Sequence, residues 1–296
     1  RGAQIFRAKT QSLPAPVGGW NARDSLADMP PEDAVILQNW FPSATDVAVR
    51  QGYTQFATGF TGQCESLMIY NSPTASKMFA AVSSAWKIYD VTTGGAVGAA
   101  AVSSLTNARF QYTNFATAAG NWMYCVNGAD KPQLYDGSTW VSVDAASTPA
   151  ITGVTTTLLV HVNVFKRRIW FVEKDSLKVW YLPIDSIGGA AQVLNFQSLA
   201  DKGGYMMAMG TWTIDSGQGP DDLAVFVTSQ GQVIVYRGID PANEATWALA
   251  GVWNVGAPIG RRCFEKWGGD LLILTYDGVF ALSALLQAIT VDNRIA

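Results

Sequence analysis

A β-hairpin is written out in residues Asp222–Gly238, and its plan recurs along the chain. Leu223, Val225 and Val227 interleave with Ala224, Phe226 and Thr228, a period of two that suits a strand with two distinguishable faces. Ser229–Gln232 then reverses the chain, with Gly231 free to take the positive φ of a hairpin turn. Val233–Tyr236 is β-branched and aromatic and returns as the second strand. Similar pairs occupy Met78–Val82 with Trp86–Asp90, Trp122–Val126 with Gln133–Gly137, Arg168–Val172 with Leu177–Tyr181, and Leu271–Leu274 with Val279–Leu282. The aromatics near the ends of the second strands are Tyr89, Tyr135, Tyr181, Tyr236 and Phe280. Their spacings are 135−89=46, 181−135=46, 236−181=55 and 280−236=44 residues.

Strand-rich repeats in the forties are the mark of propeller blades of about four strands. Three copies carry a further strand upstream of the hairpin, at Arg109–Phe115, Leu158–Phe165 and Arg262–Trp267. One blade cannot bury its apolar face alone, so neighbours must stack. The expected fold is therefore all-β, a β-propeller-like array of four-stranded blades over 47–296; a β-sandwich with coincidental spacing is the alternative. With 49% hydrophobic and 15% charged residues, the chain is too apolar for disorder and ample for a substantial core.

Residues 1–46 read differently, as an extended arm. Pro14 and Pro16 fix φ and remove donors, which favours a segment laid over something else. Pro30–Pro31 followed by Glu32 and Asp33 match helix-start chemistry, so one short helix is expected over 31–39, stopped by Trp40–Pro42. The Pro183–Pro220 span is expected to be a long connection, with its Met206, Met207 and Met209 cluster filling core. The start at Arg1 and the end just after a hairpin read as a piece of a longer chain.

Catalytic chemistry finds little support. His161, the one histidine, lies in an apolar strand and is expected to be a hydrogen-bonded structural residue. Cys64, Cys125 and Cys263 have no CxxC spacing and read as structural thiols of a reducing compartment. GxSxG, Walker A and GxGxxG patterns are missing, and no cofactor or metal is expected. Thr275–Phe280 resembles the Asp-containing turn of sialidase propellers, but Gly278 follows Asp277 directly, as ordinary hairpin-turn chemistry requires. The tryptophans, Trp86, Trp170 and Trp267 among them, are read as core before sugar-stacking faces. The net charge of −3 predicts no global attraction to nucleic acid or acidic membranes, and no apolar run reaches membrane-spanning length.

A resemblance runs through both ends of the chain. Val17–Asp24 (Val-Gly-Gly-Trp-Asn-Ala-Arg-Asp), Met29–Ala34, Gln38–Pro42 and Val49–Tyr53 resemble the opening of the β-propeller-like tail hub, nozzle and packaged-DNA stabilisation proteins of short-tailed bacteriophages. Tyr276–Ser283 and Ile289–Ile295 are similar to a later blade of those proteins and the segment after it. The resemblance implies a non-enzymatic virion protein of the tail or head–tail connector, located at the portal vertex and in the host cytoplasm during assembly. On the same resemblance, about six copies would form a ring that extends the DNA channel below the portal adaptor, without sequence-specific DNA contacts. Trp20, Arg23, Asp24, Trp40 and Phe41 would then contact a neighbouring subunit or the adaptor. A carbohydrate-binding or glycan-cleaving propeller is the alternative, and a head decoration protein a third reading.

Overall fold

The computed structural model describes residues 12–215 and 220–285, which divide into two compact units meeting at Phe56 and Ala57. The second unit is a five-bladed β-propeller arrangement. Its first blade comprises Cys64–Asn71, Ser76–Val82 and Lys87–Asp90. The second comprises Gln111–Thr117, Gly120–Val126, Gln133–Tyr135 and Trp140–Ser142. The third follows with Leu159–Phe165, Arg168–Glu173, Lys178–Tyr181 and Gln192–Asn195. Met206–Asp215, Pro220–Thr228, Gln232–Gly238 and Trp247–Asn254 make the fourth. Phe264–Trp267, Asp270–Thr275 and Gly278–Ala281 make the fifth. All of these ladders are antiparallel, and the expected hairpins lie inside them.

Two blades depart from the expected four strands, with three each among the described residues. In the first, a single bridge from Val102 to Ile88 stands where a fourth strand would run. The Pro183–Pro220 span is not a long connection. It carries the outer strand of the third blade and the whole first hairpin strand of the fourth. The stretched 55-residue interval reflects the ten- and nine-residue strands of that hairpin.

Each blade face is buried against the next. Met68, Phe79 and Ile88 of the first blade meet Phe110 and Met123 of the second. Tyr124 and Val126 pack on Val162 and Phe171 of the third. Trp170, Val172 and Tyr181 pack on Met209, Phe226 and Ile234 of the fourth. Val225, Val227 and Val233 pack on Leu271, Ile273 and Phe280 of the fifth. Full burial of one such side chain contributes about 1.5–3 kcal/mol, so the interblade clusters dominate the stability of the array. Met206, Met207 and Met209 are core, as expected. Gly231 adopts φ +77° in its hairpin turn, where an added Cβ would lie 2.3 Å from the Val255 carbonyl oxygen.

The first unit corrects two expectations. No helix forms over 31–39: Asp33–Ala34 is a short strand, paired in parallel with Gly19–Trp20. Nine residues with β-branched Val35 and Ile36 give a poor helix nucleus. The parallel pairing instead gives partners to backbone groups, the Gly18 amide donating to the Glu32 carbonyl at 2.8 Å and the Asn21 amide to Ala34 at 2.9 Å. The α-helical turn among the described residues is Leu282–Leu285, in the other unit. The unit also extends past residue 46, because Val47–Val49 pairs antiparallel with Trp40–Pro42 and belongs with it.

Candidate functional site

The arm residues singled out from sequence lie on the surface of the first unit. Trp20 is 68% exposed and fixed through its indole N–H, which donates to the Val35 carbonyl at 3.1 Å. Trp40 and Phe41 stand exposed on their hairpin, at 47% and 61%. Arg23 and Asp24 pair at 2.9 Å, and Asn21 donates to both Asp24 and Asp33. The Arg23 hydrogen bond holds the Asp24 carboxyl below the usual carboxylate range. This polar knot shapes the loop, while the aromatic rings stand exposed to solvent.

The second candidate, missed in the sequence, lies where the first strands of the blades converge. The inner strands of successive blades touch one another around the propeller axis. At one end they enclose a cavity of about 660 Å³, lined by Glu65, Arg109, Gln111, Lys174, Arg261 and Arg262 among others. A second cavity of about 250 Å³ shares Gln111, Arg261 and Arg262 with it and adds His161, Asn163 and Lys266.

Three inner strands carry a β-bulge at the same place, their second residue. Ladder register shifts between Cys64 and Ser66, between Leu159 and His161, and between Met206 and Ala208. The extra residues are Glu65, Val160 and Met207. A bulge leaves backbone groups out of the ladder and re-aims side chains. Here Glu65 and Val160 line the cavity, and the Met207 carbonyl accepts a hydrogen bond from Arg261 at 3.0 Å. Arg261 also lies 5.5 Å from the centre of the Tyr205 ring. Arg262 reaches from the fifth blade to Ser66 Oγ at 2.9 Å and the Phe110 carbonyl at 2.8 Å. The Phe110 amide in turn donates to Ser66 Oγ at 2.8 Å, so one hydroxyl joins three segments of chain.

Electrostatics at the axis follow from this crowding. Burial pushes the Arg261 guanidinium below its ordinary value, opposed by Tyr205 and Asp175. His161 is 8% exposed, and burial followed by the Arg261 charge lowers its pKa from 6.5 to about 3. Its Nδ1 is buried without a hydrogen-bond partner, contrary to the expected bonded histidine. An imidazole held that low is a weak proton acceptor, poorly matched to general-base work near neutral pH.

The remaining candidates behave structurally. Burial raises the thiols of Cys64 and Cys125 and pushes Cys263 up to about 12, which disfavours the thiolate form in each. Asp277 sits in a hairpin turn, its amide donating to Thr275 Oγ1 at 3.2 Å. Trp170 is core at 1% exposure, whereas Trp86 and Trp267 are exposed. Among the described residues, no three His, Cys, Asp or Glu side chains are grouped to hold a metal, and no helix is long and apolar enough to cross a membrane. The segment Ile289–Ile295 lies outside the described residues.

No family model matches the chain, and no curated protein matches it. Solved structures do resemble it. The crystal structure of BBS1N in complex with ARL6DN, soaked with mercury, aligns with TM-score 0.50 and 14% identity over 79% of this chain and 73% of that one. The same complex soaked with lead aligns with TM-score 0.48 and 16% identity over 79% and 71%. A Bacteroides uniformis protein assigned provisionally as a 6-phosphogluconolactonase gives TM-score 0.41 and 14% identity over 72% and 65%. At such identities the likeness concerns the fold: the chain is an all-β protein of the propeller class.

Proposed function

We propose that this chain is a non-enzymatic structural subunit of a phage tail or head–tail connector, assembling as a ring that extends the DNA channel and retains packaged DNA. The observation that carries the reading is the exposed aromatic set Trp20, Trp40 and Phe41 on a small separate unit, joined there by Leu26, Ile36 and Tyr53. A unit of this size that leaves so many large apolar side chains in water is suited to being covered by a partner. The arm motifs from Val17 to Tyr53 resemble those of phage tail hub and nozzle proteins, which supplies the partner class. Aromatic anchors are the side chains that dominate such interfaces.

Mass photometry of the whole chain, alone and mixed with an adaptor–portal complex, tests the reading. A defined ring, or several copies bound to the complex, is expected. Phe41→Asp and Trp40→Asp should each weaken that assembly by at least about thirtyfold while leaving the far-ultraviolet spectrum unchanged. A chain that stays monomeric and ignores the complex would defeat it. The carbohydrate-binding alternative is favoured by one observation, the 73% exposure of Trp267. Glycan binding that disappears in Trp267→Ala would favour that alternative.

A further inference from the structure

We propose that the axial cavity is a binding site for a small oxyanion, held by Arg261 and Arg262 with Lys174 and Arg109 at its rim. The inference goes beyond the connector reading and does not rest on it. Across the two cavities, which share Gln111, Arg261 and Arg262, the lining carries five cationic side chains, Arg109, Lys174, Arg261, Arg262 and Lys266, against one acid, Glu65. Glu65 is already engaged, accepting from Arg109 at 2.8 Å. Among the described residues neither Arg261 nor Arg262 forms an ion pair, and their partners are the neutral oxygens of Met207, Ser66 and Phe110. The chain as a whole is acidic, so this concentration of positive charge is local to the axis.

Physical chemistry favours an anion here. Partly desolvated guanidinium groups without a directly paired carboxylate are costly, and an oxyanion supplies the missing charge and acceptors. The planar fork of arginine matches the paired oxygens of a phosphate or carboxylate. The bulges supply the carbonyl that orients Arg261, so the geometry is built by the backbone and not by mobile side chains alone. A volume of about 660 Å³ is that of a small-molecule site. No aromatic ring lines the larger cavity, which removes the stacking surface that a nucleobase or a sugar face uses. The neutral, unpartnered imidazole of His161 borders the same arginines and has hydrogen-bonding capacity to spare.

His161 is the single histidine of the chain and therefore reports on the site without assignment ambiguity. Inorganic phosphate titrated into the full chain at constant ionic strength should move the His161 ring resonances along a saturating curve. Constant ionic strength separates binding from screening. Lys174, which is exposed, can be changed without disturbing packing. Lys174→Gln should weaken the affinity about tenfold with unchanged thermal unfolding, the scale of one charge-assisted hydrogen bond. Arg262→Gln should weaken it further. A short single-stranded thymidine oligonucleotide forms the second arm: saturation by phosphate identifies a free oxyanion, and saturation by the oligonucleotide alone identifies a phosphodiester. No saturating shift with either ligand, or affinities indifferent to both substitutions, would overturn the proposal.

Discussion

Trp170→Ala should cost about 3–5 kcal/mol of stability, the range for removing a fully buried indole. Trp170 lies at the interface between the third and fourth blades, surrounded by rings from both. Its centroid is 4.9 Å from Tyr181, 5.9 Å from Phe226 and 5.8 Å from Trp247, the last nearly parallel at 20°. Its indole N–H donates to the Phe165 carbonyl at 3.3 Å, and that acceptor loses its partner in the variant. Neighbours at these distances are anchored in separate ladders, so they cannot collapse into the space without breaking backbone pairing. Urea denaturation should show the loss directly, and thermal unfolding should fall by about 10 °C for a domain of this size. Trp170→Phe should recover part of the loss. A cost under about 1 kcal/mol would mean that the two blades are not packed as described.

Acidification should destabilise the propeller through His161 by a separable amount. Its folded-state pKa of about 3 lies below the ordinary 6.5, so the unfolded chain takes up the proton first. The contribution to stability is complete above about pH 6.5 and is lost progressively as the pH falls towards about 3. Between about pH 8 and about pH 5 the loss is about 2 kcal/mol. His161→Gln has no proton to gain and should show a flatter profile over that window, measured by denaturation midpoints at each pH. Carboxylates titrate lower and act alike in both proteins, so the difference belongs to the imidazole. Identical profiles would show that His161 is solvated and titrates normally.

The blades were legible because their hairpins alternate. Leu223, Val225 and Val227 face one side of their strand, and the recurring Tyr89, Tyr135, Tyr181, Tyr236 and Phe280 occupy the third strand of successive blades. Met206–Asp215 was not legible as a strand, because Met206, Met207, Ala208 and Met209 are all buried and no alternation survives. The helix expected over 31–39 failed for a different reason. Local signals at Pro30–Asp33 were real, but a pairing with Gly19–Trp20 overrode them, and that pairing has no local signature. Trp20, Trp40 and Phe41 were singled out only through the resemblance of the arm motifs to phage tail proteins; their exposure became visible in the structure. The axial cavity was hidden because its residues come from separate blades. The adjacent Arg261–Arg262 between Gly260 and Cys263 was the available clue, and bulges at Glu65, Val160 and Met207 cannot be read from composition.

The blade ladders join strands close in sequence, with antiparallel hairpins throughout, and this bears on how the chain acquires its structure. Little backbone has to wait for a distant segment before it can pair, because each ladder closes within its own blade. Blades can therefore be laid down one after another as the polypeptide is made, each new face becoming the template for the next. Until the fifth arrives, Val225, Val227 and Val233 of the fourth face water. The growing end of the array, rather than any finished blade, is thus where premature association between chains would begin.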